Sequence, residues 1–238
     1  MKINLISGPR NISTALMYSF AQRSDTQVVD EPFYAYYLQK TGIDHPGRKE
    51  TLDSMSSDLQ VVLDQWVYSE SSKPLLFIKN MAHHLIMEDL AFLEGMNNLF
   101  LIRDPERLIT SFSKVIPNPT MQDIGLEREW ELFNFIREKT GKDPIVMDSG
   151  RALENPRIIL QKLCQGLEIP FEESMLSWEA GARKEDGSWA KYWYGSVHRS
   201  TGFSLPPKSK DPFPEHCRDL LEEALPFYHK LLDHSLTL

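Results

Sequence analysis

Residues 2–14 read Lys2-Ile3-Asn4-Leu5-Ile6-Ser7-Gly8-Pro9-Arg10-Asn11-Ile12-Ser13-Thr14. The apolar run at 2–7 predicts a strand, and Gly8-Pro9 predicts a sharp turn. Ile12, Leu16 and Phe20 form the buried stripe of a helix over 13–23. Ser13 or Thr14 is expected to cap that helix. A helix start offers unpaired N–H groups and a partial positive charge, which suits an anion. Arg10 adds a full charge on a planar donor fork, and the Ser13 and Thr14 hydroxyls add donors. The segment therefore predicts a seat for a phosphate- or sulfate-bearing ligand. The plain alternative is a capped helix beside a surface arginine. The nucleoside-triphosphatase loop does not fit: counted from Gly8 it needs Gly at 13 and Lys at 14, where Ser13 and Thr14 stand.

The alternation continues outward. Apolar runs at 27–30, 75–79, 98–103 and 144–148 predict further strands, continuous enough for a parallel sheet buried on both faces. Helical patterns lie near 51–69, 82–92, 105–116, 123–139, 155–166, 172–179 and 214–233. Together they predict a three-layer α/β/α fold with a central parallel sheet of about five strands, and residues 1–238 as one domain. The long stretch 181–213 holds Gly187, Gly195, Gly202 and Pro206-Pro207. Loops of that length are usually functional or mobile.

Composition narrows the function classes. Apolar residues make up 41% of 238, enough for a sizeable core. The net charge of −8 argues against nucleic acid or an anionic membrane as partner. No apolar run is long enough to span a bilayer, and the start lacks the stretch expected of a signal peptide. Cys164 and Cys217 are too few and too far apart for a disulfide framework or a zinc site, so a reducing, cytoplasmic setting and no metal are expected. A homodimer is left open.

A second anion seat is written at 98–105, Asn98-Leu99-Phe100-Leu101-Ile102-Arg103-Asp104-Pro105. Asp104 suits an N-cap and Pro105 the first helical position. Arg103 ends the strand, where ligands of open α/β sheets sit. Ser111 falls on the same helical stripe as Asp104 and Leu108. The competing reading pairs Arg103 with a neighbouring carboxylate.

This combination resembles the sulfotransferases that use 3'-phosphoadenylyl sulfate, a family with a P-loop-containing nucleotide-hydrolase-like fold. Pro9 to Thr14 looks like the family's strand–loop–helix that grips the 5'-phosphosulfate. Arg103 with Ser111 eight positions on looks like its 3'-phosphate grip. Arg183-Lys184-Glu185-Asp186-Gly187 is similar to the basic loop that closes over that phosphate. Positions 183–210 hold Arg183, Lys184, Lys191, Arg199, Lys208 and Lys210 against Glu185 and Asp186, a local positive excess in an acidic chain. The resemblance implies a nucleotide site of Arg10, Asn11, Ile12, Ser13, Thr14, Arg103, Ser111, Arg183 and Lys184. It also implies 3'-phosphoadenylyl sulfate as co-substrate and sulfuryl transfer to a hydroxyl or amine of a small-molecule acceptor. Arg10 would neutralise charge on the leaving phosphate.

The same resemblance places a Lys and then a catalytic His after the third strand. Lys79 matches the first, but Met81 stands at the second, so His83 or His84 is the nearest imidazole. Glu31 is the rival base, because other branches of the family use a Glu nearby. A His83→Ala variant is expected to lose transfer and keep nucleotide binding. Two other functions compete. A non-catalytic nucleotide-binding module would need no base. A metal-dependent kinase would use Asp30 or Asp148 for Mg²⁺, without the loop lysine.

Overall fold

A computed structural model describes residues 1–205 and 211–237. Five strands, β1 (Lys2–Ser7), β2 (Thr26–Asp30), β3 (Leu75–Met81), β4 (Asn97–Ile102) and β5 (Ile145–Asp148), form one sheet in the order β2-β3-β1-β4-β5. All neighbours are parallel, with Leu5 opposite Lys79 and Leu99, and Asp30 opposite Lys79. The predicted strands are present within two residues of their expected ends.

The α-helices follow in chain order. The first four are α1 (Ser13–Ala21), α2 (Tyr34–Thr41), α3 (Arg48–Ser54) and α4 (Leu59–Val62), the last running into a π-helical turn at Leu63–Tyr68. Next come α5 (Pro105–Phe112), α6 (Met121–Ile124), α7 (Leu126–Thr140), α8 (Ser149–Glu154) and α9 (Pro156–Gly166). α10 (Ala190–Trp193) and α11 (Arg218–Leu232) complete the set. Successive strand residues point to opposite faces. Ile6, Phe100 and Ile102 pack with α5, α7 and α11, whereas Leu5, Leu99 and Leu101 pack with α1 and α9. The result is the three-layer α/β/α arrangement with two cores. Asn4, Asn80 and Asn98 bond to one another across β3, β1 and β4 inside the first of these cores. Residues 235 and 236 pair beside β5 and cover part of that edge.

Several helix expectations are corrected. The pattern at 51–69 breaks because Asp58 starts a new helix, accepting from the Gln60 and Val61 amides at 2.8 and 3.2 Å. The stretch 82–92 is a 3₁₀ turn at Ala82–His84, an irregular link, and another 3₁₀ segment from Ala91, whose amide bonds Asp89 at 2.9 Å. Only Glu173–Leu176 is helical within 172–179, as one 3₁₀ turn. α2 and α8 were not expected. α2 opens after Pro32 and stops at Gly42 in the left-handed region (φ 68°). α8 starts where Asp148 accepts from the Arg151 amide at 3.0 Å.

Candidate active site

The chain crosses over β1 on its way from β3 to β4, so the loops after β1 and β4 diverge above a crevice at the carboxyl ends of the strands. The loop after β1 lines it. Gly8 is required there, since a Cβ would stand 2.6 Å from the Ile124 carbonyl oxygen. Arg10 has a positive φ of 53°, a conformation that a non-glycine residue holds only when its surroundings impose it. Asn11 supplies part of that constraint. Its Nδ2 donates to the Leu101 carbonyl at 2.6 Å, and its Oδ1 accepts from the Ile12 amide at 3.0 Å.

The expected hydroxyl cap on α1 is absent. Ile12 occupies the cap position without a side-chain bond, and Ser13 and Thr14 lie buried in the first turn. The first amides of α1 therefore keep no side-chain acceptor among the described residues. Asp104, by contrast, caps α5 as expected, accepting from the Arg107 amide at 3.0 Å with Pro105 at the first position.

Arg10, Ser111 and Arg103 meet in space. Arg10 Nε donates to Ser111 Oγ at 3.2 Å, and its Nη1 reaches the Trp193 carbonyl at 3.5 Å. Arg103 Nη1 donates to the Arg10 carbonyl. Neither arginine forms an ion pair with a carboxylate among the described residues, although the neighbouring Asp104 carboxylate still favours the Arg103 charge. Burial lowers the Arg10 pKa. Burial first, then the neighbouring charges of Arg10 and Arg107, push Arg103 down to about 10. Two half-buried cations held side by side, with no ion pair to a carboxylate among the described residues and only Asp104 opposing them from nearby, favour an anionic ligand. Arg107, outside the residues expected from the sequence, adds to the same field.

The segment after 181 closes the other side. Arg183 lies over the Tyr18 ring at 4.6 Å, and its backbone amide donates to Asp186 Oδ2 at 2.8 Å. Asp186 also accepts from Tyr18 Oη at 2.7 Å and contacts His198 Nε2 at 2.9 Å. Lys184 projects to solvent, its side chain 88% exposed, with Glu185 at 3.7 Å. Gly187 leaves room for Trp189, whose ring would otherwise meet a Cβ at 2.1 Å. Lys208, Lys210 and Pro206-Pro207 lie outside the described residues.

A buried polar cluster occupies the ends of β2 and β3. Lys79 Nζ donates to Asp30 Oδ1 and Tyr194 Oη at 2.8 and 2.7 Å, and to Glu31 Oε1. Trp189 Nε1 donates to the same phenol at 3.0 Å, and the Gly187 amide reaches Asp30 at 3.2 Å. Burial opposes the Lys79 charge, but Asp30 and Glu31 outweigh it and raise its pKa. Burial, helped by Asp30, raises Glu31 against the pull of Lys79. Glu31, also at positive φ (44°), keeps Oε2 3.8 Å from His84 Nδ1.

His83 and His84 are buried, and their Nδ1 atoms have no hydrogen-bond partner among the described residues. His84 stacks on Tyr34 at 4.3 Å, and Tyr37 packs on both imidazoles. Burial drives His83 down to about 3 and His84 well below its usual value, so both are neutral near pH 7. Asp30 and Asp148, the carboxylates of the kinase alternative, are committed: Asp30 to Lys79 and Tyr194, Asp148 to the α8 cap and Tyr228 Oη. Tyr194 and Tyr18 bond to charges more than a hundred residues away, Tyr194 to Lys79 and Tyr18 to Asp186, and no local pattern in the sequence marks such pairs.

Comparison with known proteins identifies the family and the fold. The family model for the sulfotransferase domain matches residues 1–234. Two Arabidopsis thaliana proteins, branched-chain-amino-acid aminotransferase-like proteins 1 and 2, are 42% and 39% identical over 96% and 98% of this chain. The chain spans 41% of the length of each. Among solved structures, the sulfotransferase domain of the curacin biosynthetic pathway superposes with a TM-score of 0.54 at 16% identity, covering 93% of this chain and 96% of that one. That of the Synechococcus PCC 7002 olefin synthase gives 0.55 at 15%, covering 94% of each. These structural likenesses establish the fold, while the family match extends over residues 1–234. The chain belongs to the sulfotransferase domain family.

Proposed function

We infer that this chain, acting as one domain over 1–238, moves a sulfuryl group from 3'-phosphoadenylyl sulfate to a hydroxyl or amine of a small molecule. The observation that carries the reading is the unpaired Arg10–Arg103 couple, bridged to Ser111 across the loops after β1 and β4. The loop amides not already bonded within the loop and the hydroxyls of Ser13 and Thr14 hold the 5'-phosphosulfate, with Arg10 at the leaving phosphate oxygen. Arg103 and Ser111 take the 3'-phosphate, and Arg183 and Lys184 close over it.

In the reaction the bond from sulfur to the 5'-phosphate oxygen breaks and a bond from sulfur to the acceptor atom forms. The acceptor proton passes to a base, and adenosine 3',5'-bisphosphate leaves. Such a displacement asks the protein for positioning and charge stabilisation. Of the three candidate bases, Glu31 suits the task best. Burial raises its affinity for a proton, whereas His83 and His84 are pushed toward values too low to hold one. Lys79 orients Glu31 and balances its charge.

Thermal shift tests the donor reading. Adenosine 3',5'-bisphosphate at 100 times its Kd should add about 2.7 kcal/mol of stability, and ATP with Mg²⁺ should add far less. Stabilisation by ATP with Mg²⁺ alone would sink the reading in favour of the kinase alternative.

A further inference from the structure

Glu129 is 0% exposed, yet neither carboxyl oxygen has a hydrogen-bond partner among the described residues. It stands in the first turn of α7, its amide bonded to the Gly125 carbonyl at 2.8 Å. That turn lies directly against the phosphate loop. A Cβ on Gly8 would be 3.7 Å from Glu129 Oε1, and one on Gly125 would be 3.9 Å from Gly8 Cα and 3.8 Å from His83 Nδ1. The Gly8 amide approaches the Glu129 carboxyl without the geometry of a full hydrogen bond.

Among the described residues no cation pairs with the carboxyl. Arg128 is turned to the Leu85 carbonyl and Glu131, Arg218 to Glu215, and Lys230 lies over the Trp130 ring. The nearby imidazoles of His83 and His84 are neutral, and Asp123 of α6 is committed to Thr120. Burial raises the Glu129 pKa well above the usual carboxylate value, against the weaker opposing pull of the Gly8 amide. A residue needed only to fill this space would do better as leucine, which leaves no orphaned oxygens. An ionised carboxylate here would repel the anion that the loop receives. A buried carboxylic acid kept neutral can instead serve as a hydrogen-bonding group.

We propose that Glu129 is a positioning residue for the phosphate loop: its carboxyl group, held as the neutral acid, supports the Gly8 amide from below and keeps negative charge away from the bound anion. The proposal rests on the anion-site reading of that loop. Its first test needs no ligand.

In the wild-type protein at neutral pH, the ¹³C resonance of the Glu129 carboxyl should be that of a protonated acid. Gly8 amide exchange should stay slow in Glu129→Gln and become about tenfold faster in Glu129→Leu, which fills the space without a polar group. Affinity for adenosine 3',5'-bisphosphate should follow, within about threefold of wild type in Glu129→Gln and about tenfold weaker in Glu129→Leu. A carboxylate resonance, or wild-type Gly8 protection in Glu129→Leu, overturns the proposal. Should Glu129→Leu fail to fold, the carboxyl resonance and Glu129→Gln decide. A wild-type protein that shows neutral Glu129 and a protected Gly8 but no bisphosphate affinity would remove the donor reading and leave this one standing.

Discussion

At the scale of single residues, the site is an argument about which charges are answered. Lys79 is enclosed by Asp30, Glu31 and Tyr194, so its charge is balanced within the protein. Arg10 and Arg103 have no ion pair among the described residues, and that asymmetry distinguishes the proposed donor seat from the proposed acceptor side. Glu31→Gln removes the basic oxygen and keeps the shape. Transfer should fall by about 10²–10⁴ while bisphosphate affinity holds, as read by turnover and calorimetry. A loss of that size in His83→Ala, with Glu31→Gln unaffected, would return the base to the imidazole. The histidines also predict an acid slope. Between pH 6.5 and about 3 the unfolded chain protonates His83 and the folded chain does not, so stability falls as pH falls through that window. Urea denaturation of His83→Gln should show a slope shallower than wild type by about 1.4 kcal/mol per pH unit. An unchanged slope would mean that His83 takes up its proton inside the fold.

At the scale of elements, caps and glycines decide where the loops sit. Asp104 fixes the start of α5, which carries Ser111 to Arg10. Asp104→Ala should cost about 1 kcal/mol. In a chain of this size that lowers Tm by about 2–4 °C. It should also weaken bisphosphate binding, because Arg103 immediately precedes the cap. Retained affinity beside the lowered Tm would show that the cap serves α5 alone. The β1 loop, Asp104-Pro105 and all five strands were legible in the sequence, because local patterns produce them: apolar runs, a capping carboxylate, proline at a helix start. The helices near 51–69 and 82–92 were misread for the same reason in reverse. Asp58 and Asp89 compete locally with an apolar periodicity that the tertiary core had no use for as one continuous helix.

At the scale of the whole molecule, the segment after 181 joins both halves of the site. The Trp193 carbonyl touches Arg10, and the next residue, Tyr194, bonds the Lys79 cluster. Arg183 leans on α1 while Lys184 stays in solvent. Bound bisphosphate should therefore shield this stretch. Tryptic cleavage after Arg183 or Lys184, mapped by mass spectrometry, should slow by about tenfold in its presence. Equal cleavage with and without ligand would detach the loop from the donor site. By itself the sequence determined the strand–loop–helix at residues 2–21, the parallel α/β sheet and the two arginines at strand ends, since each follows from residues within a few positions of one another. The meeting of Arg10 with Ser111, the enclosure of Lys79 by Tyr194 and Trp189, the neutrality of His83 and His84, and the carboxyl of Glu129 beneath Gly8 were decided only by the tertiary structure. Those facts depend on burial and on partners up to 183 residues apart, and local sequence carries no record of the dielectric a side chain will meet.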